Sequence, residues 1–109
     1  MSFVEEFDKV QFRVFQTATE KGWNEEPCED GTSMALIHSE ISEALEALRT
    51  NNPQSLKIPN FSLAEEEMAD AVIRIMHYAE RNGFRIGEAI LAKDAYNQTR
   101  SYKHGGKKF

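Results

Sequence analysis

The chain has 109 residues, 40% of them hydrophobic, which is enough for one core and one domain. Its net charge is -5, and residues 1–100 alone carry -8 (10 basic against 18 acidic residues), which argues against a surface for nucleic-acid polymers. Cys28 is the single cysteine, so no disulfide can form within the chain. No apolar run reaches membrane-spanning length, and the acidic N-terminus is unlike a signal peptide. We therefore expect a cytoplasmic protein without a membrane partner.

The first predicted helix covers residues 3–21. Ser2 and Glu5 have the spacing of a capping box, and apolar residues then recur at helical spacing up to the stop at Gly22. Residues 22–32 are rich in Gly, Pro, Asn and Asp and are predicted to form a loop. Trp23 in this loop either covers the core or stacks on a nucleobase.

The second predicted helix covers residues 33–49, with Thr32 or Ser33 as its N-cap. We expect its buried face to be the narrow sector that holds Ile37, Ile41, Ala44 and Leu48. Glu40 and Glu43 border this apolar stripe, whereas a solvated acid such as Glu46 lies on the far side. Their position therefore favours a role beyond solubility.

Residues 50–61 contain two prolines and three asparagines and are predicted to form a connecting loop, either a flap over a site or a contact to another subunit. A second capping box, Ser62 and Glu65, begins a third helix over residues 62–82. Its predicted apolar face holds Met68, Val72, Ile75 and Ala79.

Glu67 and Asp70 share another face of this third helix with Arg74 and His77. Two interpretations remain open. Asp70 pairs with Arg74 one turn away while Glu67 is exposed, or both acids belong to a site. His77 has no second His or Cys at ligand spacing, so we expect a satisfied or half-exposed histidine.

Each acid pair, Glu40 with Glu43 and Glu67 with Asp70, spans three residues and so projects from one side of its helix. Facing each other in a bundle, carboxylates ~4 Å apart would repel by roughly 4 kcal/mol and would recruit a cation. Ligands that are all oxygen favour Mg²⁺, with Mn²⁺ as an alternative, and these ions bind substrate phosphates. The four acids therefore predict metal-dependent phosphate chemistry.

The last predicted helix covers residues 86–100 and completes a single all-α domain over residues 1–100. Lys93, Asn97 and Arg100 form one stripe of donors suited to phosphate or sugar oxygens, although an exposed helix offers the same pattern. Residues 101–109 form a basic tail, in which two glycines before Lys107 suit close approach to an anion, while disorder is the alternative.

The acid-rich segments S-E-I-S-E-A-L-E-A-L-R (39–49) and E-E-M-A-D-A-V-I-R (66–74) resemble the signature of the MazG-like, all-α nucleoside triphosphate pyrophosphohydrolases. That signature is E-x-x-E on one helix and E-x-x-D on a later one, and 23 residues separate the two halves here. G-W-N-E-E at 22–26, I-H-S-E at 37–40, K-x-x-Y-N-x-x-R at 93–100 and the following H-G-G-K extend the resemblance over most of the chain.

This resemblance implies a four-to-five-helix bundle, assembled as a homodimer or as a homotetramer built from two dimers. It implies Mg²⁺-dependent cleavage of a nucleoside triphosphate, with deoxynucleotides as the expected substrates, to the monophosphate and pyrophosphate. The implied metal ligands are Glu40, Glu43, Glu67 and Asp70, with Glu40 or Glu43 also acting as the catalytic base. The implied substrate-binding residues are Trp23, Lys93, Asn97, Arg100 and Lys107.

Two rival functions use the same residues. In the first, the chain is a non-catalytic helical interaction or regulatory module whose acids bind a basic partner. In the second, the acids form a structural metal or salt-bridge cluster that holds a dimer together. Metal-dependent hydrolysis separates the enzyme from both alternatives.

Overall fold

Four α-helices make up the part of the chain that the computed structural model describes, residues 2–26 and 28–102. They are α1 (Phe3–Glu20), α2 (Asp30–Arg49), α3 (Leu63–Asn82) and α4 (Ile86–Gln98). Within these described ranges no strand forms beyond a single bridge between Gln54 and Ser62, so the all-α prediction is confirmed. None of the described helices has the length and apolarity of a membrane span. The tail residue Lys107 lies outside the described residues.

The predicted N-caps are confirmed for α1 and α3 and are wrong for α2. The Ser2 hydroxyl accepts from the Glu5 N–H at 3.1 Å, and Ser62 forms a full capping box with Glu65. The predicted start of α2 at Ser33 is wrong. The helix begins at Asp30, because the Ser33 N–H already donates to the Glu29 carbonyl at 2.9 Å and so lies in the first turn.

The fourth helix ends two residues earlier than predicted. Thr99 and Arg100 donate their N–H groups to carbonyls three residues back, at 3.0 and 3.1 Å. This tighter turn closes the helix at Gln98. Arg100 therefore follows α4 and is not part of its last turn.

The third helix is the centre of the fold. It packs against α2 on one side and α1 on the other, while α4 packs mainly on α1. Six of the buried side chains at these contacts are alanines, so the helix axes approach closely. The buried alanines are Ala18, Ala44, Ala47, Ala64, Ala71 and Ala79.

The larger apolar side chains are distributed differently from the prediction. Ile41 and Leu48 on α2 are 52% and 58% exposed, and Met68 and Val72 on α3 are 55% and 46% exposed. The predicted buried stripes are thus wrong in part, because each helix turns its alanine sector inward instead. The adjoining acids are carried inward with that sector, and Glu40 becomes a buried residue.

The 50–61 loop is folded back on α3 through a buried serine. Ser55 is 1% exposed, donates its hydroxyl to Glu66 and accepts the Ile58 N–H at 3.0 Å. The Asn52 side chain accepts the Ala64 N–H at 2.9 Å and so caps the start of α3. These bonds leave Leu56, which is 96% exposed, at the surface of the loop.

We expect Ser55→Ala to lower the free energy of unfolding by about 1–3 kcal/mol, because it leaves the buried Glu66 carboxylate and the Ile58 N–H short of a partner. Urea denaturation measures the change. Ser101→Ala, at an exposed position, is the control and should leave the midpoint in place. A Ser55→Ala midpoint equal to that of the wild type would show that the loop does not depend on this bond.

Candidate metal centre

Acids from α2 and α3 meet where the two helices pack together. Glu40, Glu67 and Asp70 each place one carboxylate oxygen within 4.8 Å of the others. Glu43, one turn beyond Glu40, is exposed and lies outside this group of three, although it is close enough to Glu67 to raise the pKa of that residue. Three of the four predicted acids, from two segments distant in sequence, therefore converge on one site.

Arg74 of α3 binds this cluster from the side. Its Nε donates to Oε1 of Glu40 at 3.0 Å, which forms a salt bridge between α3 and α2. One earlier interpretation was that Arg74 pairs with Asp70 while Glu67 is exposed. That interpretation is therefore wrong. The long Arg74 side chain instead reaches across the helix contact to a carboxylate with few other donors.

Two acids of the cluster have raised pKa values. Burial, together with the neighbouring carboxylates of Glu43 and Glu40, raises the pKa of Glu67 to about 8. Burial and the negative charges of Glu40 and Glu66 raise the pKa of Asp70. Without a cation, Glu67 therefore holds a proton at neutral pH, because ionisation would place a further negative charge beside these carboxylates.

Glu40 is the exception. Burial by itself raises the pKa of Glu40, but the hydrogen bond from Arg74, with smaller contributions from Glu67, the Arg74 charge and Glu43, brings it below its ordinary value. Glu40 thus stays ionised more readily than an isolated glutamate. It is also 92% buried, at a relative exposure of 8%.

The residues of the cluster fit a hard divalent cation. The second oxygen of Glu40, Oε2, is buried and has no hydrogen-bond partner among the described residues. A buried carboxylate oxygen without a donor is costly, and a cation would supply the missing interaction. The donor set consists only of carboxylate oxygens, which Mg²⁺ and Mn²⁺ prefer.

A second polar group lies at the opposite end of α3. Asn24 accepts at Oδ1 from Arg81 at 3.1 Å and lies 2.7 Å from Nε2 of His77. His77 also stacks on Phe15, with ring centroids 5.7 Å apart. The expected satisfied histidine is confirmed, and burial followed by the charges of Arg81 and Arg74 lowers its pKa.

Trp23 is next to this group and is 69% exposed. The alternative in which Trp23 covers the core is therefore wrong. The exposed indole stays available for stacking, which remains a prediction.

The predicted donor stripe of α4 is not brought to the acids within one chain. Lys93, Asn97 and Arg100 are exposed, and their helix packs mainly on α1. Lys93 lies over the Tyr96 ring, with Nζ 4.7 Å from the ring centroid. A role for this stripe at the acid cluster therefore requires a second subunit.

Sequence reasoning missed two residues that shape the cluster. Glu66 is buried and bonds Ser55, and its charge acts on Asp70. Lys57, on the 50–61 loop, lies 4.0 Å from Glu66 and lowers the pKa of Asp70. The sequence has three consecutive glutamates at 65–67, and residue type alone does not show which of them faces inward.

No protein-family model matches the chain, and neither the search of curated proteins nor that of solved structures found a match. The residues of the cluster are therefore the basis for a functional assignment.

We expect the metal-free protein to lose stability as pH rises from about 4.5 to about 8 through the titration of Glu67. Its pKa is raised from the ordinary 4.5 to about 8, so the folded state holds more protons than the unfolded state in this window. Glu67→Gln should remove this loss. With EDTA present, its Tm should exceed that of the wild type at about pH 9, and the excess should shrink by about pH 5.

Glu46→Gln, at an exposed position of α2, is the control and should show no such pH dependence. A Tm difference between Glu67→Gln and wild type that is the same at both pH values would contradict the assignment of the proton to Glu67.

Proposed function

We propose that this protein is a Mg²⁺-dependent nucleoside triphosphate pyrophosphohydrolase of the MazG-like type, which converts deoxynucleoside triphosphates to monophosphates and pyrophosphate. The observation that carries the proposal is the convergence of Glu40, Glu67 and Asp70, one of which, Glu40, has a buried carboxylate oxygen without a partner among the described residues. Such a site suits a cation that also binds phosphate oxygens. A single cysteine and a substrate from the nucleotide pool fit action in the cytoplasm.

Each residue of the proposed site has a role that follows from its position. Glu67 and Asp70 on α3 and Glu40 on α2 would hold Mg²⁺, which lowers the pKa of a bound water and neutralises the phosphates. Glu43, joined to the cluster through Glu67, or Glu40 itself, would accept the proton of the attacking water. Trp23 is exposed and would stack on the base.

We expect the protein to release pyrophosphate from deoxynucleoside triphosphates in the presence of Mg²⁺. Glu43→Gln and Asp70→Asn should each lower kcat/KM by at least ~10²-fold while keeping the helical circular dichroism spectrum, because each removes one carboxylate from a mutually repelling group. Glu46→Gln should retain wild-type activity. Hydrolysis is followed over a panel of ribo- and deoxynucleoside triphosphates.

Folded protein that turns over none of these substrates would end the enzymatic proposal. The interaction-module alternative then predicts binding to a basic partner that does not depend on metal. The structural-cluster alternative predicts that a Mg²⁺ titration changes assembly without hydrolysis. Unfolding of both variants would likewise favour a structural role for the acids.

The proposal includes a homo-oligomer, with a dimer as its smallest form. Large apolar side chains are exposed on several described elements, and on α2 they include Ile41, Leu45 and Leu48 at 52%, 55% and 58% exposure. Apolar side chains grouped on one surface are typical of an interaction site. This surface is the basis for proposing a subunit interface.

The exposed apolar side chains of α2 point to a second copy of the chain as the partner. Met34, Ile41, Leu45 and Leu48 are 40–58% exposed and follow the 7, 4 and 3 spacing of a helix-pairing seam. A single stripe of this kind is self-complementary under two-fold symmetry. A neighbouring subunit would also offer a route by which the α4 donors reach the acids.

We expect the protein in solution to have at least twice the 12.5 kDa mass of one chain. Leu45→Glu should dissociate it, because the charge falls in the middle of the apolar seam. Analytical ultracentrifugation measures both masses. Gln16→Glu, an exposed position on α1, is the matched control and should leave the assembly intact. A monomeric wild-type protein at micromolar concentration would contradict the seam.

A further inference from the structure

Arg74 uses only part of its hydrogen-bonding capacity. Its guanidinium group has five N–H donors in a planar fork. Among the described residues, its one hydrogen bond is the Nε contact to Glu40. The two terminal amino groups, Nη1 and Nη2, therefore lack a hydrogen-bond acceptor in the described part of the chain.

Arg74 lies at the edge of the acid cluster. The Arg74 side chain is 41% exposed, whereas that of Glu40 is 11% exposed, so solvent reaches Arg74 although the carboxylate that it contacts is buried. Arg74 also lies one turn beyond Asp70 on the same face of α3, and its charge acts on that carboxylate. The guanidinium group is therefore both next to the acids and accessible to an anion from solvent.

Two other cationic groups among the described residues are weaker candidates for anion binding. Lys57 also lies beside the cluster, but its side chain is 84% exposed and its Nζ is 4.0 Å from Glu66. A flexible, hydrated ammonium group is less suited than a fixed fork to binding two oxygens of one phosphate group. The α4 stripe with Lys93 belongs to a helix that packs mainly on α1.

Occupation of the cluster by a divalent cation changes what Arg74 can do. In the metal-free protein its positive charge is balanced by Glu40. A cation on the unpartnered Oε2 of Glu40 would draw on that same negative charge. The guanidinium charge would then be left for an anion, such as the phosphate chain that the cation itself attracts.

We propose that Arg74 is the anion-binding residue of this site, with Nε held on Oε1 of Glu40 and the two terminal amino groups bound to oxygens of a metal-bound polyphosphate. The assignment rests on the proposed function and adds the group through which the chain recognises the phosphate part of its substrate. It requires the planar fork, because one edge contacts the carboxylate while another contacts the phosphate.

The test measures binding of Mn²⁺ alone, and then of inorganic tripolyphosphate in the presence of Mn²⁺, to the full chain by calorimetry. Arg74→Lys keeps the charge but has one ammonium group for two acceptors. We expect its Mn²⁺ Kd to stay within about three-fold of wild type, while its Kd for tripolyphosphate rises at least ~10-fold. Arg85→Lys, in an exposed pair with Glu88, is the matched control and should change neither value.

Arg74→Gln is the second variant, since its amide retains a donor for Glu40 but carries no charge, and it should raise the tripolyphosphate Kd at least as much as Arg74→Lys. Thermal melting identifies which variant is folded, and either folded variant decides the question. A tripolyphosphate Kd equal to that of wild type overturns the assignment. So does an equal weakening of Mn²⁺ and tripolyphosphate binding, because Arg74 would then only position Glu40.

The proposed function can fail separately. Wild-type protein that binds Mn²⁺ and tripolyphosphate through Arg74, yet hydrolyses no nucleoside triphosphate, would support the anion-binding role and overturn the enzymatic one. Wild-type protein that binds Mn²⁺ but no tripolyphosphate overturns the role of Arg74 as an anion-binding residue.

Discussion

The salt bridge between Arg74 and Glu40 is the interaction on which the α2–α3 contact depends. Glu40 sits in the same inward sector as Ala44 and Ala47, where a carboxylate without a counter-charge would cost several kcal/mol. The Arg74 Nε, 3.0 Å from Oε1, offsets that cost from the facing helix. Because the partner satisfies one oxygen only, the second remains buried without a partner in the described part of the chain. The same contact thus permits burial of the acid and leaves the oxygen that the proposed cation would use.

The other acids of the cluster are compatible with the fold because protonation can lower their total negative charge. Glu67, with a pKa of about 8, carries a proton that reduces repulsion among the four acids at neutral pH. A divalent cation would replace that proton and satisfy more oxygens at once. Sites that conflict with local rules of burial and charge are where proteins commonly place function. Here the conflict lies in a helix pair whose buried apolar residues are alanines and Met76.

The alanine contacts also explain the unusual surface. Close approach of α2 and α3 needs small side chains facing inward, and this turns Ile41, Leu45 and Leu48 outward. A chain of this size would gain little from leaving such residues in water. The proposed oligomer would cover this apolar surface. It would also let the α4 stripe of one subunit approach the acids of another. The proposed metal site and the proposed assembly therefore both depend on which sector of each helix is buried.

The sequence by itself determined the four helices, the N-caps of α1 and α3 and the pairing of acids at one-turn spacing, because these depend on residues close together in the chain. Only the tertiary structure decided which of two adjoining sectors each helix buries, since both contained apolar residues and only packing against a neighbour distinguishes them. It likewise decided that Arg74 reaches Glu40 and not Asp70, and that Glu66 bonds Ser55. The partner of a long side chain depends on which groups lie near it in space and on which of their charges are not yet compensated. Neither can be inferred from the spacing of residues in the sequence.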